Sequence, residues 1–342
     1  MRKLLNTLFV TSPGTYVHID HDTVKLEKEK ETVAKLPILH FSSVVIVGDI
    51  MVSPAALTKF AEEGRQVIFL DRNGRFLARV EGAETGNILL RQAQFRALEC
   101  REKCVDIARW IVAGKLRNCR NILMRGFRDS LEEESAKLLK AADRLKQSIA
   151  KLKDETALEV IRGIEGDAAK IYYRVFSLLL KEAREDFSMQ ERSRRPPRDR
   201  INALLSFLYT LLMHDYRSAL LGVGLDTQAG YLHSLRSGRP ALALELMEEF
   251  RPWLADRLAL TLINRKQINA GHFTERKGGA VYLSDKGRKE VIIAYQKRKQ
   301  DEVSHPLLKE KPPLGLIPHI QARIFARYIR GDIETYTPYT PK

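Results

Sequence analysis

The spacing of apolar residues changes once along this chain, and this change limits its possible folds more than any other feature. Up to about residue 86, apolar and polar residues mostly alternate, in runs such as TYVHI and RFLARV, as they do in short strands. Beyond it, apolar residues recur at helical spacing among charged ones. We therefore predict an α+β protein, with a small β-rich N-terminal domain over 1–86 and a larger all-helical C-terminal domain over 87–303.

Short local signals add detail to the two domains. A serine N-cap, a proline at the first helical position and a closing glycine predict one helix over 53–64, among the strands. Gly278 and Gly279 separate two strand-like runs and predict a hairpin inserted into the helical domain. Residues 304–342 form a proline-rich tail, which we expect to be either a partner-binding arm or loosely packed.

The net charge indicates a polyanionic partner. The 342 residues include 58 Lys and Arg against 43 Asp and Glu, a formal charge of +15. Such a surplus attracts nucleic acid or an anionic membrane surface over long range, and charge alone does not choose between them. The sequence has no apolar run of about 18 residues and no signal-peptide pattern. We therefore expect a cytoplasmic protein with no membrane partner.

The three cysteines, Cys100, Cys104 and Cys119, are odd in number and lie in a charged, helical stretch. A disulfide framework is not expected from this pattern. Cys100 and Cys104 stand one helical turn apart and could share a metal, but no second ligand pair follows them. Plain thiols are the simpler interpretation.

The most suggestive chemistry lies between residues 224 and 252. His233 precedes a predicted helix on which Glu245, Glu248 and Glu249 occupy about a third of the circumference, at roughly 100° per residue. The opposite face is apolar, so a solvated acidic face is the simpler interpretation of the three glutamates alone. Together with the histidine, the same carboxylates can instead bind a metal beside a phosphate.

A second acidic element lies upstream, where Glu165 stands between Gly163 and Gly166 near the predicted start of a helix. The two glycines could let another backbone or a substrate come close, or they could simply end one helix and ease the start of the next. Glu165, His233 and the glutamates of the later helix would together supply oxygen and nitrogen ligands. Mg²⁺ suits such a set, and Mn²⁺ suits it somewhat better because of the imidazole.

These segments resemble the CRISPR-associated Cas1 proteins, the integrase and endonuclease subunits that insert new spacers into a CRISPR array. The resemblance runs the whole length of the chain. It is carried by RGIEGDAAKIYY, by RRPPRDRINALLSFLYTLL, by GLDTQAGYLHSLRSGRPALALELMEEFRPWLADR and by VYLSDKGRKEVIIAYQKR, of which the third is the most specific. The implied metal ligands and catalytic residues are Glu165, His233 and Glu248. Glu245 matches a further acidic position and is a possible helper, although the family usually has aspartate there.

The resemblance also implies a function and partners. The expected reaction joins the 3′-hydroxyls of protospacer DNA to a CRISPR repeat by phosphoryl transfer, while attack by water gives endonuclease activity at the same metal site. The expected partners are double-stranded DNA, a second copy of the chain paired through the N-terminal domain, and a small ferredoxin-like adaptation protein. His233 could instead be a general acid or base.

Arginines near these segments are candidate contacts to DNA phosphates. Five of them crowd a proline-containing loop with little balancing acid and no evident internal use, and three flank the proposed ligands. The simpler interpretation of any single one is a surface ion pair. The candidates are Arg192, Arg194, Arg195, Arg198, Arg200, Arg236, Arg239 and Arg251.

Two other functions remain open at this point. A DNA-organising protein could keep the basic surface without chemistry, and a free-standing metal nuclease could act on branched DNA with no dedicated partner. The presence of Glu165, His233 and Glu248 together favours an enzyme over the first of these.

Overall fold

The computed structural model describes residues 6–72, 74, 76–80, 82, 83 and 88–341. The chain divides into two compact units, one of residues 1–85 with 283–296 and one of residues 86–282 with 297–342. The segment 283–296, which the sequence analysis assigned to the helical domain, thus belongs to the first unit. The roles assigned to the predicted domains stay predictions.

The first unit is built mainly of strands. Their bounds are β1 (Asn6–Val10), β2 (Thr15–Asp20), β3 (Thr23–Lys28), β4 (Glu31–Pro37), β5 (Phe41–Val47), β6 (Met51–Val52), β7 (Gln66–Leu70) and β8 (Phe76–Val80). One four-stranded sheet has the order β1-β5-β7-β8 and the other has the order β4-β3-β2-β6. Strands β1, β5 and β7 are parallel, and β7 turns back into β8 as an antiparallel hairpin. The period-two pattern therefore predicted this half correctly.

A helix, α1 (Pro54–Glu62), packs among these strands at the predicted place. The side chain of Ser53 accepts a hydrogen bond from the N–H of Ala56 at 3.1 Å, because the first turn of a helix has no internal acceptors for its N–H groups. Phe60 of α1 is buried with Val17, Val24 and Val44 of the strands, in one apolar core.

The second unit is mostly helical, as its apolar spacing predicted. Its helices are α2 (Ile88–Glu99), α3 (Arg101–Asp129), α4 (Glu132–Leu152), α5 (Leu158–Arg174), α6 (Arg200–Val223), α7 (Ala241–Leu246) and α8 (Arg257–Asn264). A hairpin of β9 (Phe273–Arg276) and β10 (Ala280–Leu283) follows, then α9 (Asp285–Lys299), whose residues up to 296 are counted in the first unit, and α10 (Ile317–Arg330). The predicted α+β class with its inserted hairpin is confirmed.

Helix α3 is the central element of the second unit. It packs on α4 and α5, and its apolar stripe is fully buried, including Ile107, Ile111 and Leu123. Cys104 and Cys119 lie on the same buried side, and all three cysteines are free thiols, as the odd count predicted. None of the helices in the described part of the chain has an apolar stretch long enough to cross a membrane.

The proline-rich tail, 304–342, is neither loose nor an extended arm in this structure. It contains α10, which packs against α2 and α6, and beyond the helix Tyr336 and Tyr339 are buried. The prolines drew attention away from the pattern IQARIFARYIR, in which apolar residues recur at helical spacing and Phe325 and Ile329 face the core. Gly331 ends the helix in the left-handed conformation.

Candidate metal centre

The three glutamates of the late acidic segment do not form a solvated face. Helix α7 ends at Leu246, a 3₁₀ turn follows at Met247–Glu249, and a π-helical turn follows at Pro252–Asp256. Proline lacks an N–H group and its ring crowds the carbonyl four residues earlier, so a regular α-helix through Pro252 is not possible. The predicted single face is therefore broken, and Glu245, Glu248 and Glu249 are all buried.

Glu248 and Glu165 meet at one ammonium group. Lys115, from the middle of α3, forms ion pairs with Glu165 on α5 and with Glu248, the latter with 2.8 Å between Nζ and Oε2. The side chains of Lys115 and Glu248 are each 9% exposed, and that of Glu165 is 20% exposed. Glu165 lies in the middle of a continuous helix, rather than near a helix start as its flanking glycines suggested.

Charge, rather than exposure, keeps this cluster ionised. Burial raises the pKa of Glu248, but the charges of Arg251 and Lys115 outweigh burial and lower that pKa to about 2. Burial likewise lowers the pKa of Lys115, and the charges of Glu248 and Glu165 raise it well above its ordinary value. Glu248 is therefore an anion that needs a nearby cation.

Arg251 is part of this cluster. Its guanidinium lies 2.5 Å from Glu248 Oε1 and is stacked 4.7 Å from the ring centre of Tyr209. The Tyr209 hydroxyl donates to buried Asp256, as does that of Tyr172, and burial raises the pKa of Asp256 to about 6. Arg251 is one of the predicted phosphate contacts, but its guanidinium has intramolecular partners on two sides.

Glu245 organises the loop that carries His233. Its carboxylate accepts the backbone N–H of Tyr231 at 2.7 Å and that of His233 at 2.8 Å, and the His233 ring nitrogen Nδ1 lies 3.3 Å from the same carboxylate. A Cβ at Gly230 would lie 2.7 Å from Glu245 Oε1 and 2.6 Å from the Cβ of Ala241. Only glycine therefore leaves room for the carboxylate at this point.

The His233 loop is also anchored to the helix that carries Glu165. Arg162, one turn before Glu165 on α5, donates a hydrogen bond from Nε to the carbonyl of Leu232. The side chain of His233 is 30% exposed, while Glu245 behind it is fully buried. The structure thus places His233 beside the α5 turn that leads to Glu165.

The described residues include no group of three or more His, Cys, Asp and Glu side chains arranged to hold a metal ion. His233 faces Glu245, and the ammonium of Lys115 stands between Glu165 and Glu248 where a bound cation would balance the same charges. The donor set fits Mg²⁺ or Mn²⁺, because two ionised carboxylates already share one cation and an imidazole lies on the adjoining loop.

Glu249 forms hydrogen bonds with the C-terminal tail, residues 304–342. Its Oε1 accepts from Gln321 Nε2 at 2.7 Å and from the Tyr336 hydroxyl at 2.9 Å. Asn118 on α3 donates to the carbonyls of both Glu249 and Tyr339, each at 2.7 Å. Burial raises the pKa of Glu249 to about 7. This carboxylate therefore stabilises the packing of the tail and points away from Lys115's two partners.

Three of the five arginines near the proline loop have internal partners, so the argument that none had an internal use is wrong for them. Arg192 donates to Asn202 Oδ1 at 2.5 Å, Arg198 donates to the Gly278 carbonyl, and Arg200 donates to the Asp186 carbonyl at 2.8 Å. The partners of Arg192, Arg200 and Arg198 lie 10, 14 and 80 residues away along the chain, so local spacing does not predict these contacts.

The other candidate arginines are more available. Arg194 and Arg195 are exposed, and the charge of Arg194 is close enough to lower the pKa of Glu248. Arg236 is exposed and Arg239 is half-buried, both on the loop that follows His233. The loop around Pro196 and Pro197 therefore brings at least one exposed positive charge, that of Arg194, near Glu248.

Lys115 is the functional residue that the sequence analysis missed. A signal was present, because Lys115 falls on the apolar stripe of α3, four residues after Ile111 and four before Cys119. A charged residue on a buried stripe requires a charged partner. What the sequence did not reveal was which carboxylates, 50 and 133 residues further along, would supply that partner.

The sequence profile of the family described as CRISPR associated protein Cas1 matches residues 8–297. The chain belongs to the Cas1 family. A protein named CRISPR-associated endonuclease Cas1 from Moorella thermoacetica is 53% identical over 340 residues, which is 99% of both chains. A protein of the same name from Chlorobaculum tepidum is 46% identical over 99% of both chains.

Two solved structures share the fold of this chain. A CAS1 protein from Thermotoga maritima superposes with a TM-score of 0.82 at 23% identity, covering 98% of this chain and all of that one. A casposase bound to integration product has a TM-score of 0.82 at 22% identity, covering 98% of this chain and 95% of that one. At such identities, the likeness shows the fold alone.

Proposed function

We propose that this Cas1 family member is a divalent-metal-dependent DNA endonuclease and integrase. In its main reaction, a 3′-hydroxyl of protospacer DNA would attack a phosphodiester of a CRISPR repeat. The observation that carries the proposal is the pair of carboxylates, half-buried Glu165 and buried Glu248, that share the ammonium of Lys115. The names of the relatives as endonucleases and the casposase title with its integration product support the same reaction class.

Glu165, Glu248 and His233 would hold Mg²⁺ or Mn²⁺. When bound, the ion supplies positive charge to the attacked phosphate and lowers the pKa of the attacking hydroxyl or water. Glu245 would not be a direct ligand, because its two oxygens accept backbone N–H groups of the His233 loop. It is instead a positioning residue, which fixes the backbone on which His233 stands.

The chain's own cations have distinct roles in this proposal. Arg251 stays paired with Glu248 and keeps that carboxylate ionised at all working pH values. Lys115 balances the carboxylates in the absence of a dication, and would be available to a phosphate oxygen if a dication were bound. Arg194 and Arg195, which are exposed, together with Arg236, would contact the DNA backbone.

The assembly proposed here has two further members. A second copy of the chain would pair through the first unit, and a small ferredoxin-like adaptation protein would join the dimers. A solved complex titled Cas6-RT-Cas1–Cas2 contains a chain of the same fold, with a TM-score of 0.83 at 23% identity, of which this chain covers 36%. The proposed location is the cytoplasm, where a CRISPR array is found.

Strand transfer tests the function. A short duplex with free 3′-hydroxyls is incubated with a supercoiled plasmid carrying a CRISPR array and Mn²⁺, with and without the partner protein. The protein is compared with Glu165→Ala and with Asp167→Ala, which removes a 77% exposed carboxylate from the same helix. We expect joined product from the protein and from Asp167→Ala, and none from Glu165→Ala.

Other outcomes identify the alternatives. Equal product from all three proteins contradicts catalysis at Glu165. Cleavage of branched DNA without strand transfer, with or without the partner, indicates a free-standing nuclease. DNA binding without any metal-dependent product indicates a DNA-organising protein.

A further inference from the structure

A large cleft lies at the far end of α3 from the candidate metal centre. It measures about 840 Å³ and is bounded by the last turns of α3, from Arg120 onward, by Leu179 and Lys181, by Trp253 and residues of and just after α8, and by Pro341. We call this the basic cleft. None of the candidate residues from the sequence analysis lines it.

Positive charge dominates the lining of the basic cleft. Six cationic side chains line it against one carboxylate, that of Asp129. Asp129 is only loosely paired, with its Oδ2 3.9 Å from the Nζ of Lys181. Because like charges held together destabilise the folded state, a surplus of this size favours a bound polyanion. The cations are Arg120, Arg125, Arg128, Lys181, Arg257 and Arg265.

The deeper part of the basic cleft holds donors that have no acceptor. Trp253 Nε1 and Arg120 Nε are buried and make no hydrogen bond within the described residues. Arg257 is stacked 4.3 Å from the ring centre of Trp253. Burial, together with the charges of Arg298 and Arg125, lowers the pKa of Arg257 to about 10. Anionic oxygens entering here would offset both the missing acceptors and the mutual repulsion.

The dimensions favour a chain of phosphates over a single anion. The cationic positions 120 to 128 of α3 span about 12 Å at 1.5 Å per residue, which equals the axial rise of three to four nucleotides at about 3.4 Å each. From Lys115 to Arg125 the same helix runs about 15 Å. This axial distance corresponds to about four to five nucleotides at about 3.4 Å each.

We propose that the basic cleft binds the phosphodiester backbone of DNA, at phosphates away from the one that reacts. The choice of DNA as the polyanion rests on the proposed function, and the site itself rests on the geometry and charge of the cleft. Arg125, Arg128 and Arg265 are exposed and form its outer contacts. Arg257, which lies deeper in the cleft than these three arginines, contacts a desolvated phosphate.

Metal-free DNA binding tests the proposal. Fluorescence anisotropy of a labelled duplex is measured in EDTA over a series of salt concentrations. The test protein combines Arg125→Gln, Arg128→Gln and Arg265→Gln. The matched control combines Lys140→Gln, Arg144→Gln and Lys151→Gln, which removes the same charge from exposed positions on α4. Thermal unfolding confirms that both variants are folded.

We expect the slope of log K against log salt to fall by about two to three units in the cleft variant, at about 0.9 per lost phosphate contact. The control variant should keep the slope of the unmodified protein. Equal slopes for the two variants overturn the proposal. So does loss of polyglutamate binding without loss of DNA binding, which would assign the cleft to an acidic protein segment.

The outcome is independent of catalysis. The binding is measured in EDTA, without the divalent metal that the proposed reaction needs, so its result does not depend on strand transfer. If strand transfer fails while the cleft variant loses DNA binding, the proposed reaction is wrong and the cleft proposal stands. If strand transfer succeeds while the cleft variant binds DNA normally, the proposed reaction stands and the cleft proposal is wrong.

Discussion

Replacing Lys115 by methionine tests the central feature of the candidate metal centre. Methionine keeps much of the side-chain length and removes the charge. Glu165 then loses the ammonium with which it pairs, and Glu248 retains only Arg251. Removing one partner of a buried ion pair costs about 3–5 kcal/mol. Since Glu165 is 20% exposed and Arg251 still balances Glu248, we expect the lower end, about 3 kcal/mol.

The pH dependence of this loss follows from two pKa shifts. The pKa of folded Glu248 is about 2, below its ordinary value of 4.5, so its stabilising contribution is present above pH 4.5 and is lost as pH falls towards 2. The pKa of folded Lys115 is raised above 10.5, so its contribution is fully present below pH 10.5. The difference between the protein and Lys115→Met should therefore be largest from neutral pH to pH 10.5 and shrink in acid, where Glu248 is protonated.

Thermal unfolding in EDTA measures the loss. For a unit of this size, about 3 kcal/mol corresponds to a fall in Tm of about 6–12 °C. Adding Glu165→Gln to Lys115→Met should restore part of it, because the unpaired carboxylate is gone. Lys137→Met is the matched control, since it removes the same charge from an ion pair with Glu133 that is exposed to solvent.

Mn²⁺ supplies the second part of the experiment. Since the ammonium and a dication would balance the same carboxylates, Lys115→Met should bind Mn²⁺ more tightly and gain more stability from it than the unmodified protein. The reasoning is refuted if Lys115→Met unfolds at the temperature of Lys137→Met, or if Mn²⁺ stabilises the unmodified protein more than the variant.

Two further substitutions test the surroundings of the site. The pKa of Glu249 is raised from 4.5 to about 7, so between these pH values the folded protein holds a proton that the unfolded chain has lost, and stability should fall as pH rises from 4.5 to 7. In Glu249→Gln, the free energy of unfolding in urea should vary less with pH over this range, by up to about 3 kcal/mol. Parallel pH profiles for the two proteins would contradict the shift. Gly230→Ala should destabilise the protein by about 1–3 kcal/mol and weaken Mn²⁺ binding, because the added Cβ would lie 2.7 Å from Glu245 Oε1. Gly163→Ala is the control and should be neutral or stabilising, because no atom lies within 4 Å of the added Cβ. Equal melting temperatures for the two variants would contradict the packing argument.

Periodicity predicted the elements of this fold well, because the apolar pattern of each half depends on local geometry alone. The strands before residue 81, the capped helix α1 and the hairpin of β9 and β10 all lie where the pattern placed them. Prolines account for two places where the prediction was wrong. In the tail they hid α10, and Pro252 broke the helix on which the three glutamates were expected to share a face.

The candidate site was predictable only in part. The resemblance to Cas1 proteins named Glu165, His233 and Glu248, and the structure brings the first and the third onto one ammonium. Spacing along a helix cannot identify Lys115 as their partner, since α3 meets both only after the helices pack. Nor can composition tell that Arg192 is used internally while Arg194 is exposed two residues later.

The charges at the candidate centre explain why Lys115 suits a site that must act on an anion. Lys115 and Arg251 balance Glu165 and Glu248, so the buried cluster is neutral and attracts phosphate only weakly through its own field. Lys115 remains tethered to α3 if a dication takes its place between the carboxylates. The cluster then carries two surplus positive charges, one of them on a side chain free to reach a phosphate oxygen. In the proposed site, phosphate binding and metal binding would therefore be coupled, and by linkage each would strengthen the other.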